Sequence, residues 1–122
     1  MNETTKLPEL ADLIEQLGVA VNDHALLELA LTHRSYLNEN PEANADNERL
    51  EFLGDAVIDL IIGAYLFRRF PEMREGEMTS LRAALVRAET LAQFAQQLTI
   101  DQHLRLGWGE DESGGRKKIP TL

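Results

Sequence analysis

Four acidic residues in the middle of the chain have a spacing suited to a divalent metal site. Glu48, Glu51, Asp55 and Asp59 recur every three or four residues within an apolar run. On an α-helix, which turns by about 100° per residue, they fall within an arc of roughly 80° and form one carboxylate row, here called the acidic stripe. A hard ion such as Mg²⁺ is commonly held by one or two carboxylates together with waters and substrate phosphates. Glu51 and Asp55, one turn apart, are best placed to share such an ion.

The apolar neighbours of the acidic stripe support the interpretation as a metal site. Like charges one turn apart destabilise a helix by about 0.2–0.5 kcal/mol per pair, and an unpaired carboxylate removed from water costs several kcal/mol more. Phe52, Ile58 and Ile62 flank the stripe. A solvated helix face is the usual explanation of such a stripe, and the apolar flanks argue against it. A bound cation would offset both costs.

Three segments resemble one enzyme family in the same order along the chain. Residues 47–57, NERLEFLGDAV, resemble the signature of the ribonuclease III family, Mg²⁺-dependent endonucleases that cut double-stranded RNA. Residues 30–35, ALTHRS, match an upstream motif, and residues 75–82, EGEMTSLR, followed by Leu85 and Val86, match a downstream one. The resemblance extends from about Leu10 to Leu122.

The resemblance implies roles for individual residues. Glu51 and Asp55 match the catalytic metal ligands, with Mn²⁺ as a substitute for Mg²⁺. Glu48 would be a supporting acid close to the site, where the positive end of the helix dipole also explains it. Glu75 matches a family acid near the cleavage site, with a simple helix-terminal charge as the alternative. Phe52 matches a residue that reaches into the partner subunit of a two-fold homodimer.

The resemblance also predicts what should follow the chain. In the family, the next helix opens with an Asp and, three residues later, a Glu, which complete the metal site. These positions would lie after Leu122. We therefore expect residues 1–122 to be a ribonuclease III-like nuclease domain that is incomplete at its C-terminal end, without a double-stranded RNA-binding domain, and weakly active or inactive alone.

Composition sets independent limits on the class of protein. A chain of 122 residues is long enough for one domain with a single core. It has no cysteine and no apolar run long enough to span a bilayer, which predicts a soluble, cytoplasmic protein without disulfides. The net charge of −9 is unfavourable for a nucleic-acid-binding protein, so RNA binding would need a local basic surface.

Apolar residues recur at helical rather than alternating spacing throughout, which predicts an all-α fold. A first helix should end at Gly18, and Asn22 or Asp23 should cap a second. The signature helix, over residues 47–70 with Asp46 or Asn47 as its cap, should be the longest and most buried element. Further helices are expected over residues 79–87, after Glu75 and Glu77, and over residues 89–98.

Several basic groups allow two interpretations. His33 and Arg34 could act in catalysis or RNA contact, but a histidine near the end of the second helix is more often a dipole partner or a hydrogen-bonding residue at the core edge. Arg68 and Arg69 are adequately explained by the dipole of the signature helix. From about residue 107 the chain is expected to form a flexible charged loop, in which Arg116, Lys117 and Lys118 are either solvated or bound to phosphate.

Two other functions remain open at this stage. The chain could be a non-catalytic ribonuclease III-like module that binds RNA or the ribosome, although the presence of Glu51 and Asp55 counts against this. It could also be a helical interaction protein with an incidental acidic stripe. Saturable binding of a divalent ion separates the metal-site interpretation from the last alternative.

Overall fold

The structure, a computed structural model, describes residues 9–118 and the side chains of residues 9–116. Within this range the chain is helical, and its β-structure is one isolated parallel bridge between Thr32 and Arg105. The all-α prediction is confirmed. The elements are α1 Leu10–Leu17, α2 His24–Ala30, α3 Arg34–Glu39, α4 Glu48–Arg69, α5 Glu75–Leu85, α6 Ala88–Gln97, a 3₁₀ helix Ile100–His103, α7 Trp108–Glu112 and α8 Gly115–Lys118.

The predicted ends of the first helices are confirmed. α1 ends at Gly18, whose φ of +68° is the left-handed conformation that glycine adopts without strain. The Asp23 side chain caps α2 by accepting the backbone N–H of Leu26 at 3.0 Å. No helix between residues 9 and 118 combines the length and hydrophobicity that crossing a bilayer would require.

The main core lies around the N-terminal helices. Leu13, Leu31 and Leu104 are 1%, 3% and 1% exposed and pack together. Partly buried apolar side chains surround them: Leu10, Leu17, Leu27, Ile100 and Leu106. The core therefore joins α1 and α2 to the segment that follows the 3₁₀ helix.

Arg105 connects that segment to the end of α2. Its backbone N–H donates to Leu31 O at 2.8 Å, and its carbonyl accepts the N–H of His33 at 3.0 Å. Its guanidinium binds the Glu28 carboxylate at 2.6 Å and lies over the Tyr36 ring, 4.3 Å from the centroid. Arg105 thus links two parts of the chain that are far apart in sequence.

The prediction for the signature helix is half correct. α4 is the longest element between residues 9 and 118, with 22 residues. It is not the most buried, because Phe52, Leu60 and Phe67 are 82%, 73% and 72% exposed and Leu66 is its buried residue. Its apolar side chains spread over more than half of the helix circumference, and α4 packs mainly on α5. Most of this apolar surface therefore has no neighbour within the described chain.

The interpretation of His33 as a dipole partner at the end of α2 is wrong. α2 ends at Ala30, and His33 is instead the N-cap of α3. Its Nδ1 accepts the backbone N–H of Ser35 at 3.2 Å and lies 2.8 Å from Ser35 Oγ. The alternative of a hydrogen-bonding histidine agrees with this geometry. Arg68 and Arg69 do occupy the last turn of α4, as expected.

α5 begins four residues earlier than the spacing predicted. Glu75 and Glu77 lie in its first turn rather than before it. The Glu77 carboxylate accepts the N–H of Arg74 at 3.3 Å, which satisfies a donor at the helix start and extends the helix. α6 lies within one residue of its predicted limits at each end.

The loop prediction from about residue 107 is wrong for residues 108–112 and 115–118, where α7 and α8 form. Two contacts from α3 hold the start of α7. Ser35 Oγ accepts the N–H of Gly107 at 2.8 Å, and Glu39 accepts that of Trp108 at 2.7 Å. A Cβ at position 107 would lie 2.5 Å from Ser35 O, so this close approach requires glycine.

Arg116 connects this segment to the rest of the fold through four hydrogen bonds. Its guanidinium donates to the carbonyls of Asp101 at 3.0 Å and Leu104 at 2.6 Å. It also binds the Asp111 carboxylate through two hydrogen bonds of 3.0 and 2.7 Å. Its side chain is 18% exposed. Arg116 therefore connects α7 and α8 to the 3₁₀ helix, while the side chains of Lys117 and Lys118 lie outside the described part.

We expect Arg116→Ala to lower the free energy of unfolding by about 1.5–3 kcal/mol, since hydrogen bonds to a charged group are lost and two carbonyls lose a donor. Urea denaturation measures this. Arg87→Ala is the matched control, because Arg87 is 69% exposed and forms only a 3.9 Å pair with Glu89. Equal losses in the two variants would contradict a structural role for Arg116.

The same contact predicts a pH dependence. The hydrogen bond from Arg116, helped by its charge and opposed by burial, lowers the pKa of Asp111 below its ordinary value of 3.8. The carboxylate therefore stabilises the fold at pH values above that ordinary pKa, and this stabilisation is lost as the pH falls through the lowered folded-state pKa. Below about pH 4, the free energy of unfolding of the Asp111→Asn variant should therefore fall less steeply with decreasing pH than that of the wild type. Parallel curves would contradict this.

Candidate active site

Asn47 fixes the position of the helix that carries the acidic stripe. Its backbone N–H donates to Thr32 O at 2.9 Å, and its side-chain Nδ2 donates to Ala30 O at 2.8 Å. Its own carbonyl accepts the N–H of Glu51 at 2.8 Å, which begins the hydrogen bonding of α4. The base of α4 is thereby attached to the end of α2, and the first carboxylates of the stripe start from a fixed point.

Both predicted caps take part at this helix start, in different ways. Asn47 is the N-cap by position, while its side chain bonds across to Ala30 instead of to α4. The Asp46 carboxylate accepts the N–H of Glu48 at 3.0 Å. One side chain thus satisfies a free amide of the helix, and the other attaches the helix to its neighbour.

The acidic stripe itself is open to solvent. Glu48, Glu51, Asp55 and Asp59 are all exposed. Within the described residues, their carboxylates form no ion pair or hydrogen bond with another side chain. Ile58 and Ile62 beside them are only partly buried. The apolar flanks therefore do not shield the stripe from solvent in the described part of the chain, and they do not by themselves argue against a solvated helix face.

The donor set of Glu51 and Asp55 nevertheless fits a hard divalent ion. Both carboxylates form no ion pair with the described part of the chain, stand one helical turn apart, and are oxygen ligands of the type that Mg²⁺ and Mn²⁺ prefer. Across the described chain, no group of three or more His, Cys, Asp or Glu side chains converges as a metal site. The arrangement therefore offers a pair of ligands and free coordination positions.

Glu75 lies apart from this pair. It is the first residue of α5 and lines a groove of about 200 Å³ between α4 and α5. Gly63, which lines the same groove, is two helical turns beyond Asp55. Glu75 therefore does not join Glu51 and Asp55 in a single cluster, and Glu48 remains one turn before the pair, in the first turn of α4.

Sequence reasoning missed two residues that support the site. Asn47 is predicted as a cap, but its bond to Ala30, 17 positions earlier in the chain, has no local sequence signal. Arg105 has one such signal, since a lone arginine between Leu104 and Leu106 is a partly buried charge in need of a partner. Both contacts depend on how distant segments pack.

Comparison with known proteins gives a consistent result. The family model described as Ribonuclease-III-like matches residues 23–120. Ribonuclease 3 of Enterococcus faecalis is 49% identical over 112 residues, which cover 91% of this chain and 49% of that protein. Ribonuclease 3 of Desulfotalea psychrophila is 51% identical over 112 residues, covering 92% and 46%. The chain therefore spans about half the length of the curated relatives it matches.

Solved structures agree with the sequence relatives. A nuclease domain of Ribonuclease III from Campylobacter jejuni superimposes with a TM-score of 0.80 at 39% identity, covering 90% of this chain and 73% of that one. That structure is described as showing flexibility in a region involved in dimer formation. A second structure of the same Campylobacter domain gives a TM-score of 0.79 at 38% identity.

The free carboxylate pair predicts saturable stabilisation by Mg²⁺ or Mn²⁺. A ligand that binds only the folded state adds about 2.7 kcal/mol to the free energy of unfolding when its concentration is one hundred times its dissociation constant. The melting temperature should therefore rise with the concentration of the metal ion. Glu51→Gln and Asp55→Asn should remove the rise, and Asp59→Asn should retain it. A rise that is absent in the wild type, or equal in all four proteins, would identify the stripe as a solvated helix face.

Proposed function

Because the chain belongs to the ribonuclease III-like family, we propose that it is the nuclease part of a Mg²⁺-dependent endoribonuclease that hydrolyses phosphodiester bonds of double-stranded RNA in RNA processing. The observation that carries the proposal is the exposed pair Glu51 and Asp55 on a helix whose start is attached to α2 through Asn47. Since its proposed substrate is cellular RNA, we also assign the protein to the cytoplasm.

Glu51 and Asp55 have the central role in this mechanism. Their carboxylates, one turn apart and solvent-facing, would hold the cation against the surface of α4 where a duplex can approach. A bound Mg²⁺ or Mn²⁺ supplies a Lewis acid that activates water and offsets the charge of the phosphate. Glu48, favoured at the positive end of α4, would keep the local potential negative and support cation binding.

The exposed apolar surface of α4 supports a second element of the proposal, a homodimer. Phe52, Leu53 and Leu60 are 82%, 59% and 73% exposed, although such side chains normally lie inside a protein. Contiguous exposed apolar patches of this kind mark interaction sites. A two-fold contact across α4 would bury the same patch on both subunits, with Phe52 reaching into the partner.

One observation favours the alternative of a non-catalytic RNA- or ribosome-binding module. Within the described chain no third carboxylate joins Glu51 and Asp55. Two carboxylates are sufficient to bind an ion weakly, but hydrolysis requires a metal ion that is held tightly enough to activate water. The two functions therefore differ in whether metal binding is accompanied by cleavage.

We expect the 122-residue chain, assayed with long double-stranded RNA and Mg²⁺, to show little or no cutting, because two carboxylates alone form a weak metal site. A hybrid in which residues 1–122 are followed by the remaining part of the Enterococcus faecalis relative should cut. In that hybrid, Glu51→Gln or Asp55→Asn should lower the cleavage rate by at least about 100-fold. Loss of a side chain that only supports a metal ligand lowers activity by up to about 100-fold, and loss of the ligand itself should cost no less.

Asp59→Asn in the hybrid is the matched control and should leave the rate near that of the unmodified hybrid. Robust metal-dependent cleavage by the 122-residue chain, or by the hybrid without Glu51, would show that the ligands are misplaced. Metal binding by the hybrid without any cleavage would favour the non-catalytic module.

The dimer proposal predicts different effects for two exposed phenylalanines. Phe52→Ala should weaken self-association strongly in sedimentation experiments, because it removes an 82% exposed ring from the proposed interface. Phe94→Ala is the control, since Phe94 is 42% exposed and lies on α6. Equal effects of the two substitutions would contradict an interface centred on α4.

A further inference from the structure

The side chain of Asn47 bonds outside the helix that it begins. Although Asn47 is the N-cap of α4 by position, its side chain makes no capping hydrogen bond to that helix, all of which lies in the described range. Its Nδ2 instead donates to Ala30 O at 2.8 Å, and its backbone N–H donates to Thr32 O at 2.9 Å. The capping role at this helix start belongs to Asp46, whose carboxylate accepts the N–H of Glu48 at 3.0 Å. Helix capping therefore does not account for the amide at position 47.

The segment that Asn47 bonds to is itself held from its other side. Leu31 O accepts the backbone N–H of Arg105 at 2.8 Å, and the carbonyl of Arg105 accepts the N–H of His33 at 3.0 Å. Successive residues of the segment 30–33 therefore bond alternately to Asn47 and to Arg105. Thr32, in the middle of this segment, is 1% exposed. A helix start that is attached to such a segment has little freedom to shift.

Of the two proposed metal ligands, Glu51 depends more on this attachment. Its backbone N–H donates to Asn47 O at 2.8 Å, which is the hydrogen bond that begins the helix. Asp55 lies one turn further on, within the body of α4. The two carboxylates repel each other until a cation binds, and this repulsion opposes order in the turn that carries Glu51. Loss of the attachment should therefore displace Glu51 while Asp55 stays in place.

From these contacts we propose that Asn47 is a positioning residue for the metal site, an inference that rests on the proposed function. Its side-chain amide holds the first turn of α4 so that Glu51 and Asp55 bind one Mg²⁺ or Mn²⁺ together. Among the residues that cap helices well, asparagine is the one that has an N–H to donate and the length to reach Ala30 O. An ionised aspartate only accepts hydrogen bonds, and the hydroxyl of serine lies one bond closer to the backbone.

The test compares Mn²⁺ affinity with the local order of the helix start in the 122-residue chain. Electron paramagnetic resonance measures free Mn²⁺, and amide hydrogen exchange reports the opening of the Glu51 N–H. Asn47→Ala and Asn47→Ser should both accelerate this exchange and weaken Mn²⁺ binding by about 10-fold, the lower end of the range for losing a group that supports a metal ligand. Because serine caps helices as well as asparagine does, a capping role for Asn47 predicts no change in Asn47→Ser.

Asp23→Ala is the matched control, because it removes the cap of α2 at the end opposite to the attachment and should lower stability while Mn²⁺ affinity stays at the wild-type value. Melting curves establish that each variant is folded at the temperature of the measurement. Wild-type Mn²⁺ affinity in Asn47→Ser, or equal losses of affinity in Asn47→Ala and Asp23→Ala, would overturn the positioning role and leave the metal site in place. Absence of Mn²⁺ binding by the wild type would overturn the proposed function together with this inference.

Discussion

Three carbonyl groups at the C-terminal end of α2 hold the other segments of the fold in place. A helix leaves its last carbonyls without partners, and a buried carbonyl that stays unpaired is costly. Here Ala30 O and Thr32 O accept hydrogen bonds from Asn47, and Leu31 O accepts one from Arg105. Both the helix that carries the acidic stripe and the segment after the 3₁₀ helix are therefore attached to the same three residues, 30–32.

This attachment explains how a site can be both anchored and open. The base of α4 is held by Asn47, while its side chains take no part in the main core around Leu13, Leu31 and Leu104. The carboxylates consequently start from a fixed point and remain accessible to a cation. The same geometry leaves Phe52 and Leu60 exposed. The access of a cation to the carboxylates and the exposure of the apolar side chains therefore have the same structural cause.

Charge is distributed in a way that fits the proposed function. The carboxylates of the acidic stripe form no ion pair within the described chain, whereas Glu28 and Asp111 are paired with Arg105 and Arg116. The pairs stabilise the fold, and the unpaired groups remain available to ligands.

The longer helices and the residues of the site follow from local sequence, whereas the short helices and the surface that each helix buries depend on tertiary packing. Gly18, Asp23 and the periodic leucines specify α1 and α2 because caps and apolar spacing act over a few residues. The carboxylate stripe follows equally from spacing along a helix. The short helices α3, α7 and α8 were beyond local reasoning, because contacts such as those from Glu39 and Arg116 join segments distant in sequence. For the same reason, the exposure of α4 and the separation of Glu75 from Asp55 were decided by tertiary structure, since spacing shows which residues share a face but not what covers that face.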